Sequence, residues 1–159
     1  MSGAFRVVED DLSGPEVQAL LHLHLDEMRQ WSPPESVHAM PVERLRAADV
    51  TFVAAWDDAG EGPRIAACGA LRHLDDGHGE IKSMRAHPDY RGRGAGRAIL
   101  DHLISEARSR GYLRLSLETG SPDAFLPARR LYAANGFAEC GPFAEYVFDP
   151  FSVYMTREL

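Results

Sequence analysis

The stretch HPDYRGRGAGRAIL, residues 87–100, places three glycines and three arginines directly before a segment with helical periodicity. The glycines are Gly92, Gly94 and Gly96, and the arginines are Arg91, Arg93 and Arg97. A helix N-terminus exposes backbone N–H groups that lack partners within the helix, and the positive end of the helix dipole lies there. The glycines permit close approach of a ligand and positive φ angles, and arginine binds phosphate oxygens. The stretch therefore predicts a phosphate-binding turn, the alternative being an ordinary surface turn.

Upstream of this turn, three apolar or alternating runs predict an antiparallel meander. VTFVAAW and RIAACGALRHL are separated by the turn signal DDAGEGP, and HGEIKSMRA follows the turn signal DDGHG. Asp, Gly and Pro at such positions favour tight turns between strands. Pro88 ends the third strand, so the phosphate turn begins where this meander ends.

Downstream of the turn, the chain alternates between helix and strand patterns. Apolar residues from Ile99 to Ala107 follow helical spacing and Gly111 provides the stop signal. YLRLSLET alternates as a strand, the second half of SPDAFLPARRLYAANGF is helical, and FAEC and SVYMTREL are two last strands. At the other end, FRVVE is a strand before two helices, the second over VERLRAAD. The pattern predicts an α/β fold with a single mixed central sheet flanked by helices.

Size and charge limit the class of protein. The chain has 159 residues, which fits one domain spanning residues 1–159. Its net charge of −7 and its pI near 5.4 disfavour a nucleic-acid coat or a polybasic membrane anchor. The two cysteines are far apart and lack metal-type spacing, and no apolar N-terminal segment is present. We therefore expect a cytoplasmic protein that binds neither nucleic acid nor membrane.

Two familiar glycine motifs do not fit the turn. A P-loop requires GxxxxGK[ST], which is absent, and a dinucleotide-binding GxGxxG follows an early strand of a parallel βαβ series. The turn instead resembles the pyrophosphate-binding motif R/Q-x-x-G-x-G/A of the GCN5-related N-acetyltransferase (GNAT) family, with Arg91, Gly94 and Gly96 at its fixed positions. The segment LYAANGF resembles a second landmark of that family, a tyrosine four residues before a Gly-Phe pair, with Tyr132, Gly136 and Phe137 at these positions. The order of elements is also similar over nearly the whole chain.

The resemblance implies acetyl coenzyme A as cosubstrate, and no metal. Its pantetheine would lie along the strand IKSMRA, in a gap where that strand separates from its parallel neighbour RLSLE. The implied cofactor-binding residues are Met84, Arg85, Ala86, Arg91, Gly92, Arg93, Gly94, Ala95, Gly96, Arg97 and Asn135. The main chain at Met84 and Ala86 would pair with pantetheine, and the N–H near Met84 would polarise the thioester.

The resemblance also implies candidates for catalysis. Tyr132 stands at the position of the general acid that protonates the departing thiolate, with core packing as the alternative role. Glu80 is the candidate base, and the period-two rule predicts that Glu80, Lys82, Met84 and Ala86 share one face of their strand. Glu118 is the rival base. Ordered water is a third alternative.

The acceptor side of the chain gives weaker signals. Helices one and two and the loop between them line the acceptor pocket in the family, which nominates Trp31, Ser36 and His38. Tyr146 and Glu118 are further candidates for acceptor contact. Phe143, Tyr146, Phe148 and Phe151 suggest an aromatic lid, with a packed hairpin as the alternative. His22 and His24 point about 200° apart on a helix, which argues against one shared metal ion.

Together these features lead to two functional hypotheses. The first is an acetyl-CoA-dependent N-acetyltransferase that acts on a primary amine of a small molecule or protein, by direct attack in a ternary complex. The alternative is a non-catalytic protein of the same fold that senses CoA or acetyl-CoA. Family members often pair through their C-terminal strands, so a homodimer is a further expectation.

Overall fold

The computed structural model describes residues 5–159 and contains one seven-stranded sheet with the strand order β1-β2-β3-β4-β5-β7-β6. The strands are β1 (Arg6–Glu9), β2 (Val50–Asp57), β3 (Arg64–Asp75), β4 (His78–Ala86), β5 (Arg114–Gly120), β6 (Ala138–Cys140) and β7 (Ser152–Glu158). The helices are α1 (Pro15–Trp31), α2 (Val42–Leu45), α3 (Ala95–Ser109) and α4 (Leu126–Ala134). None of these helices has the length and apolar character needed to cross a bilayer.

The sheet is mixed, as the sequence predicts. Strands β1 to β4 form an antiparallel meander, β4 pairs with β5 in parallel, and β7 pairs antiparallel with both β5 and β6. The α3 connection makes the parallel pair possible, because two parallel strands require a long crossover. The predicted antiparallel meander plus a parallel pair is therefore confirmed.

Each face of the sheet carries its own apolar cluster. Helix α3 packs through Ile99 and Leu103 on the face that also holds Leu71, Ile81 and Leu117. The opposite face is covered by α1 and α2, whose apolar residues contact a second set of strand residues. The second cluster comprises Leu12, Val17, Leu20, Leu21, Leu45, Phe52, Ala54, Ile65, Cys68 and Ala70. The sheet thus lies between the two clusters, and the side chains of the candidate site lie on or beside its strands.

Strand β4 contains a bulge that changes which face its residues occupy. Lys82 pairs with Ala70 and Arg85 pairs with Cys68, so the register shifts between them. Within this shift, Ser83 adopts a φ of 55°, in the left-handed region. Gly69 lies opposite, and a Cβ there would come within 2.8 Å of the Met84 sulfur. The missing side chain at this glycine therefore allows Met84 to pack toward α3.

The parallel strands β4 and β5 pair over only part of their length. The paired residues run from His78 with Arg114 to Ile81 with Leu117. Beyond that point β5 continues to pair with β7 as far as Gly120, whereas β4 continues beside β3. The two strands therefore diverge from Lys82 onward, which leaves the β5-facing edge of β4 without a ladder partner on β5. This divergence is the gap that the sequence resemblance implied.

Candidate active site

The glycine-rich turn adopts the conformation that its sequence predicts at two of its three glycines. Gly92 has a φ of 71°, and Gly94, the N-cap of α3, has a φ of 85°. A Cβ at either residue would meet no atom within 4 Å. Gly96 differs from the expectation because it lies inside α3 without a positive φ, and a Cβ there would contact Leu131 of α4 at 3.5 Å. Its role is close helix packing rather than a special backbone angle.

The first turn of α3 exposes main-chain donors beside this open turn. No side chain caps Gly94, and the first intrahelical bond runs from the Ala98 N–H to the Gly94 carbonyl. The N–H groups of Ala95, Gly96 and Arg97 come before Ala98 in the helix and therefore have no carbonyl partner within α3. This helix end has the donors and the free space that a diphosphate requires.

The three arginines of the turn occupy different positions. Arg91 is exposed and lies 3.4 Å from Glu27 of α1, while Arg97 lies 3.7 Å from Asp101 in the next turn of α3. The guanidinium of Arg93 covers the ring of Tyr90 at 4.7 Å from its centroid. All three remain at the surface beside the helix end, where a long side chain can reorient toward an anion.

The expectation that Glu80, Lys82, Met84 and Ala86 share one face of β4 is wrong. Glu80 and Lys82 lie on the face opposite α3, whereas Met84 packs against the α3 cluster. The bulge at Ser83 interrupts the two-residue alternation, so the residues after it change face. Arg85 consequently points toward α1, where it forms an ion pair with Glu27. The main chain at Met84 and Ala86 still lies on the open edge of β4, as expected.

Tyr132 is presented by α4 and is only 5% exposed. Its ring packs edge-on against Phe137, with 6.0 Å between the ring centroids. The pKa of its hydroxyl is raised well above the ordinary value, first by burial and second by the charge of Glu118. Tyr132 is therefore protonated at neutral pH and close enough to Glu118 for the two groups to interact electrostatically.

Glu118 follows the last residue of β5 that pairs with β4. Burial raises its pKa to about 7, against the opposing effect of a hydrogen bond from Ser152. The Ser152 hydroxyl donates this bond at 2.8 Å. A carboxyl group with this pKa can both accept and release a proton near neutral pH, which is the property that general acid–base catalysis uses.

Glu80, the other candidate base, has no exposed surface and three donors around it. Arg72 Nη1 lies 3.2 Å from one carboxylate oxygen, and Lys82 Nζ lies 3.4 Å from the other. The Tyr146 hydroxyl donates to the same oxygen as Lys82 at 2.5 Å and accepts from Lys82 Nζ at 2.7 Å. The lone pairs of Glu80 are therefore engaged by protein donors, which makes it less available to an incoming amine than Glu118.

Two loops meet over this ionic network. Ser36, from the loop between α1 and α2, donates a hydrogen bond of 2.6 Å to Asp149 in the loop between β6 and β7. His38 packs edge-on against Tyr146, with 5.1 Å between ring centroids. Burial lowers the pKa of His38, and the charge of Lys82 adds to this effect. Trp31, by contrast, ends α1 with 48% of its surface exposed.

Only part of the predicted aromatic lid covers the site. Phe143 lies 5.0 Å from Tyr146 between ring centroids, and both rings contact Tyr154 of β7. Phe148 is 80% exposed and Phe151 is 40% exposed, so these two rings lie outside the network. The loop thus has an inner aromatic pair and an outer apolar tip.

The remaining predicted residue, Asn135, caps α4. Its amide nitrogen donates to the Leu131 carbonyl at 2.8 Å, and its own main-chain carbonyl accepts a bond of 2.8 Å from Arg157. These contacts fix the end of α4, and with it the helix that carries Tyr132. The side-chain oxygen remains the part of Asn135 that could contact a cofactor.

Sequence reasoning missed Arg72, Ser83 and Glu27. Arg72 joins the network because β3 pairs it directly with Glu80, and a register of this kind has no local signal in the sequence. Ser83 precedes a methionine in an ordinary strand pattern, so the bulge could not be predicted from it. Glu27 belongs to no motif, and only the packing of α1 beside β4 brings it to Arg85 and Arg91.

Comparison with known proteins agrees with this geometry. Residues 17–137 match the family model described as Acetyltransferase (GNAT) family. The chain is 51% identical to the uncharacterized N-acetyltransferase YsnE of Bacillus subtilis over 94% of this chain and 97% of the relative. It is 47% identical to the uncharacterized N-acetyltransferase YedL of Escherichia coli, over 98% of this chain and 95% of that relative.

Among solved structures, the fold is similar to that of a Klebsiella pneumoniae protein described as an acyl-CoA N-acyltransferase. The two chains superpose with a TM-score of 0.76 and are 29% identical, over 98% of this chain and 97% of the other. The diverging strands, the uncapped helix end and the sequence relatives lead to the same assignment. The chain belongs to the GNAT family of acetyltransferases.

Proposed function

We propose that the protein transfers the acetyl group of acetyl-CoA to a primary amine by direct attack, with both substrates bound at once. The observation that carries this proposal is the gap between β4 and β5. From this gap, β4 leads through residues 87–94 to the uncapped start of α3. Glu118 lies where the gap opens, and its charge acts on the hydroxyl of Tyr132. A ligand that extends from the start of α3 to Glu118 and Tyr132 would place an anionic group at the helix end and a reactive group beside the two side chains. Acetyl-CoA has both groups.

The residues that would hold the cosubstrate are mostly main chain. The N–H groups of Ala95, Gly96 and Arg97 would bind the pyrophosphate, helped by the side chains of Arg91 and Arg93. The open edge of β4 at Met84 and Ala86 would pair with the pantetheine amides as a strand does. When bound there, acetyl-CoA supplies an activated acetyl thioester.

The two shifted pKa values fit opposite roles in this reaction. Glu118, with a pKa of about 7, would accept the proton that the amine loses when it attacks. Tyr132, whose pKa is raised by burial and by the charge of Glu118, would donate a proton to the departing thiolate. Placing an acid and a base in different environments beside one gap separates their pKa values, so each group holds the required protonation state.

The second carboxylate, Glu80, is better suited to organising the acceptor side than to accepting a proton. It binds Arg72, Lys82 and Tyr146 together, and Tyr146 in turn contacts His38. The acceptor would enter from this side, between the two loops joined by Ser36 and Asp149. Both small-molecule amines and protein amines remain within this proposal.

The alternative function is a sensor that binds CoA without catalysis. The pKa of Glu118 favours the enzyme, because a binding protein gains nothing from a buried carboxyl group that titrates near pH 7. The two functions differ in one measurable respect, since only the enzyme releases free thiol from acetyl-CoA in the presence of an acceptor.

The proposal is tested in two steps. A thermal-shift titration should show that acetyl-CoA and CoA raise the melting temperature while ATP and NAD do not. Release of thiol from acetyl-CoA should then be measured across a panel of primary amines, including small diamines, amino acids and lysine peptides. No shift with CoA would refute both functions, and a shift without thiol release for any amine would favour the sensor.

A further inference from the structure

Ser83 has a strained backbone conformation at the bulge of β4. Its φ of 55° lies in the left-handed region, which residues other than glycine, asparagine and aspartate seldom occupy. Its carbonyl oxygen accepts a hydrogen bond from the Cys68 thiol at 3.4 Å, which anchors the bulge to β3. Glycine would relieve the strain at this position, so the presence of serine calls for a reason in its side chain.

The side chain of Ser83 is buried and has no partner. The residue is 8% exposed, and its hydroxyl oxygen finds no hydrogen-bond partner among residues 5–159. Most buried polar groups in proteins are paired, because an unpaired one loses its bonds to water without replacement. A buried, unpaired hydroxyl on a strained residue indicates a group that is held ready for a ligand.

The position of Ser83 on β4 indicates which ligand its hydroxyl would contact. It is two residues beyond Ile81, the last residue of β4 that pairs with β5, and thus lies where the gap opens. Lys82 on one side belongs to the ionic network that faces the acceptor, and Met84 on the other side packs toward α3. Ser83 therefore stands between the acceptor side and the cosubstrate side of the sheet, where the thioester must meet the amine.

We propose that the Ser83 hydroxyl donates a hydrogen bond to the carbonyl oxygen of the acetyl thioester, as a second donor beside the main-chain N–H near Met84. This inference rests on the proposed acetyl transfer. As the C–N bond forms and the C–S bond breaks, negative charge develops on that oxygen, and a fixed donor stabilises it. The hydroxyl keeps its proton and forms no covalent bond, since no side chain of residues 5–159 forms a hydrogen bond with it that could activate it as a nucleophile.

Two substitutions separate the hydroxyl from the backbone strain. Ser83→Ala removes the hydroxyl and keeps a Cβ at positive φ, whereas Ser83→Gly removes the hydroxyl and relieves the strain. Both variants should lose turnover at saturating acetyl-CoA, on the order of 100-fold, as removal of one such donor does in other enzymes. The dissociation constant for acetyl-CoA should change less than about threefold in both, because the bond strengthens mainly as charge develops.

A spectroscopic readout tests the contact itself. The carbonyl stretch of bound acetyl-CoA labelled with carbon-13 at the carbonyl, measured by isotope-edited infrared spectroscopy, should lie at lower frequency in the wild-type protein than in Ser83→Gly. Ser109→Ala is a control, since it also removes a serine hydroxyl but at the last residue of α3, at the opposite end of that helix from the glycine-rich turn, where the hydroxyl donates to the Glu106 carbonyl. This control should leave both turnover and the carbonyl stretch unchanged.

Three results would overturn the inference. Full turnover in Ser83→Gly with loss in Ser83→Ala would assign the effect to the backbone, and an unshifted carbonyl stretch in Ser83→Gly would exclude the contact. Loss of acetyl-CoA affinity in both variants equal to the loss of turnover would make Ser83 a binding residue only. If the wild-type protein neither binds nor consumes acetyl-CoA, the proposed function fails first, which distinguishes that failure from the failure of the role of Ser83.

Discussion

The start of α3 and the ionic network around Glu80 are both polar regions beside one gap, yet they are built differently. The first presents main-chain N–H groups, and its geometry depends on backbone angles at Gly92 and Gly94. The second is built from buried side chains on neighbouring strands and a loop, including Arg72 and Tyr146. In the proposed function, cosubstrate binding would therefore depend on local conformation, whereas catalysis and acceptor choice would depend on long-range packing and on shifted pKa values.

The largest effect is expected for Gly94→Ala, which tests the main-chain N–H groups at the start of α3. A side chain at a φ of 85° disturbs the helix end, and it also projects into the space that the diphosphate would occupy. We expect the dissociation constant for acetyl-CoA to rise about 100-fold, which corresponds to about 2.7 kcal/mol. Isothermal titration calorimetry measures this change.

Gly111→Ala provides a matched control for that experiment. Gly111 has a φ of 81°, and a Cβ there also meets no atom within 4 Å, but it lies beyond the other end of α3. The two variants should lose similar stability, and only Gly94→Ala should lose affinity. Equal affinities in the two variants would show that the start of α3 does not hold the cosubstrate.

The next largest effect is expected for Tyr132→Phe. Loss of the hydroxyl should lower turnover on the order of 100-fold, because proton donation to the thiolate is lost. Packing against Phe137 is retained, so the melting temperature and the affinity for acetyl-CoA should stay near their wild-type values. Steady-state kinetics and calorimetry separate these quantities, and a parallel loss of turnover and affinity would contradict the acid role.

Glu118→Gln should change the pH dependence of the reaction. With a pKa of about 7, the carboxyl group is about one-tenth ionised at pH 6 and about nine-tenths ionised at pH 8. The ratio of wild-type to variant kcat/KM should therefore rise about tenfold between these pH values. A ratio that is independent of pH would assign the proton transfer to water or to another group.

The same substitution should also change the pH dependence of stability. The folded pKa of Glu118 is raised from the ordinary value of 4.5 to about 7, so the folded state holds its proton more tightly. The free energy of unfolding of the wild-type protein therefore falls as the pH rises from about 4.5 to 7, by about 3 kcal/mol from this group. The free energy of unfolding of Glu118→Gln, taken relative to that of the wild-type protein, should therefore be higher at pH 8 than at pH 4.5. Urea unfolding at both pH values measures this difference.

The smallest effect is expected at the contact between the two loops. Ser36→Ala removes the hydrogen bond to Asp149, and a typical bond of this kind is worth about 1 kcal/mol. We expect the KM for the amine to rise about fivefold while the affinity for acetyl-CoA stays unchanged. An effect on acetyl-CoA alone would place the acceptor elsewhere.

Much of the fold and the conformation of the glycine-rich turn could be predicted from the sequence. The strands show alternating apolar residues and α3 follows a helical period. The positive φ angles of Gly92 and Gly94 can be expected from the residue type without knowledge of distant residues. The predicted face of Met84 was wrong, because the bulge at Ser83 depends on Gly69 of the neighbouring strand. The choice between Glu80 and Glu118 likewise needs the tertiary structure, since burial and hydrogen-bond partners give them different environments.

The sequence alone determined the order of elements and the glycine-rich turn, since both depend on short-range periodicity and on the backbone freedom of glycine. Tertiary structure alone decided which carboxylate is engaged by cations and which titrates near neutral pH, because strand register and burial place distant groups together. It also decided that β4 bulges at Ser83, where the strand separates from β5. These long-range effects have no signature in any single stretch of the chain.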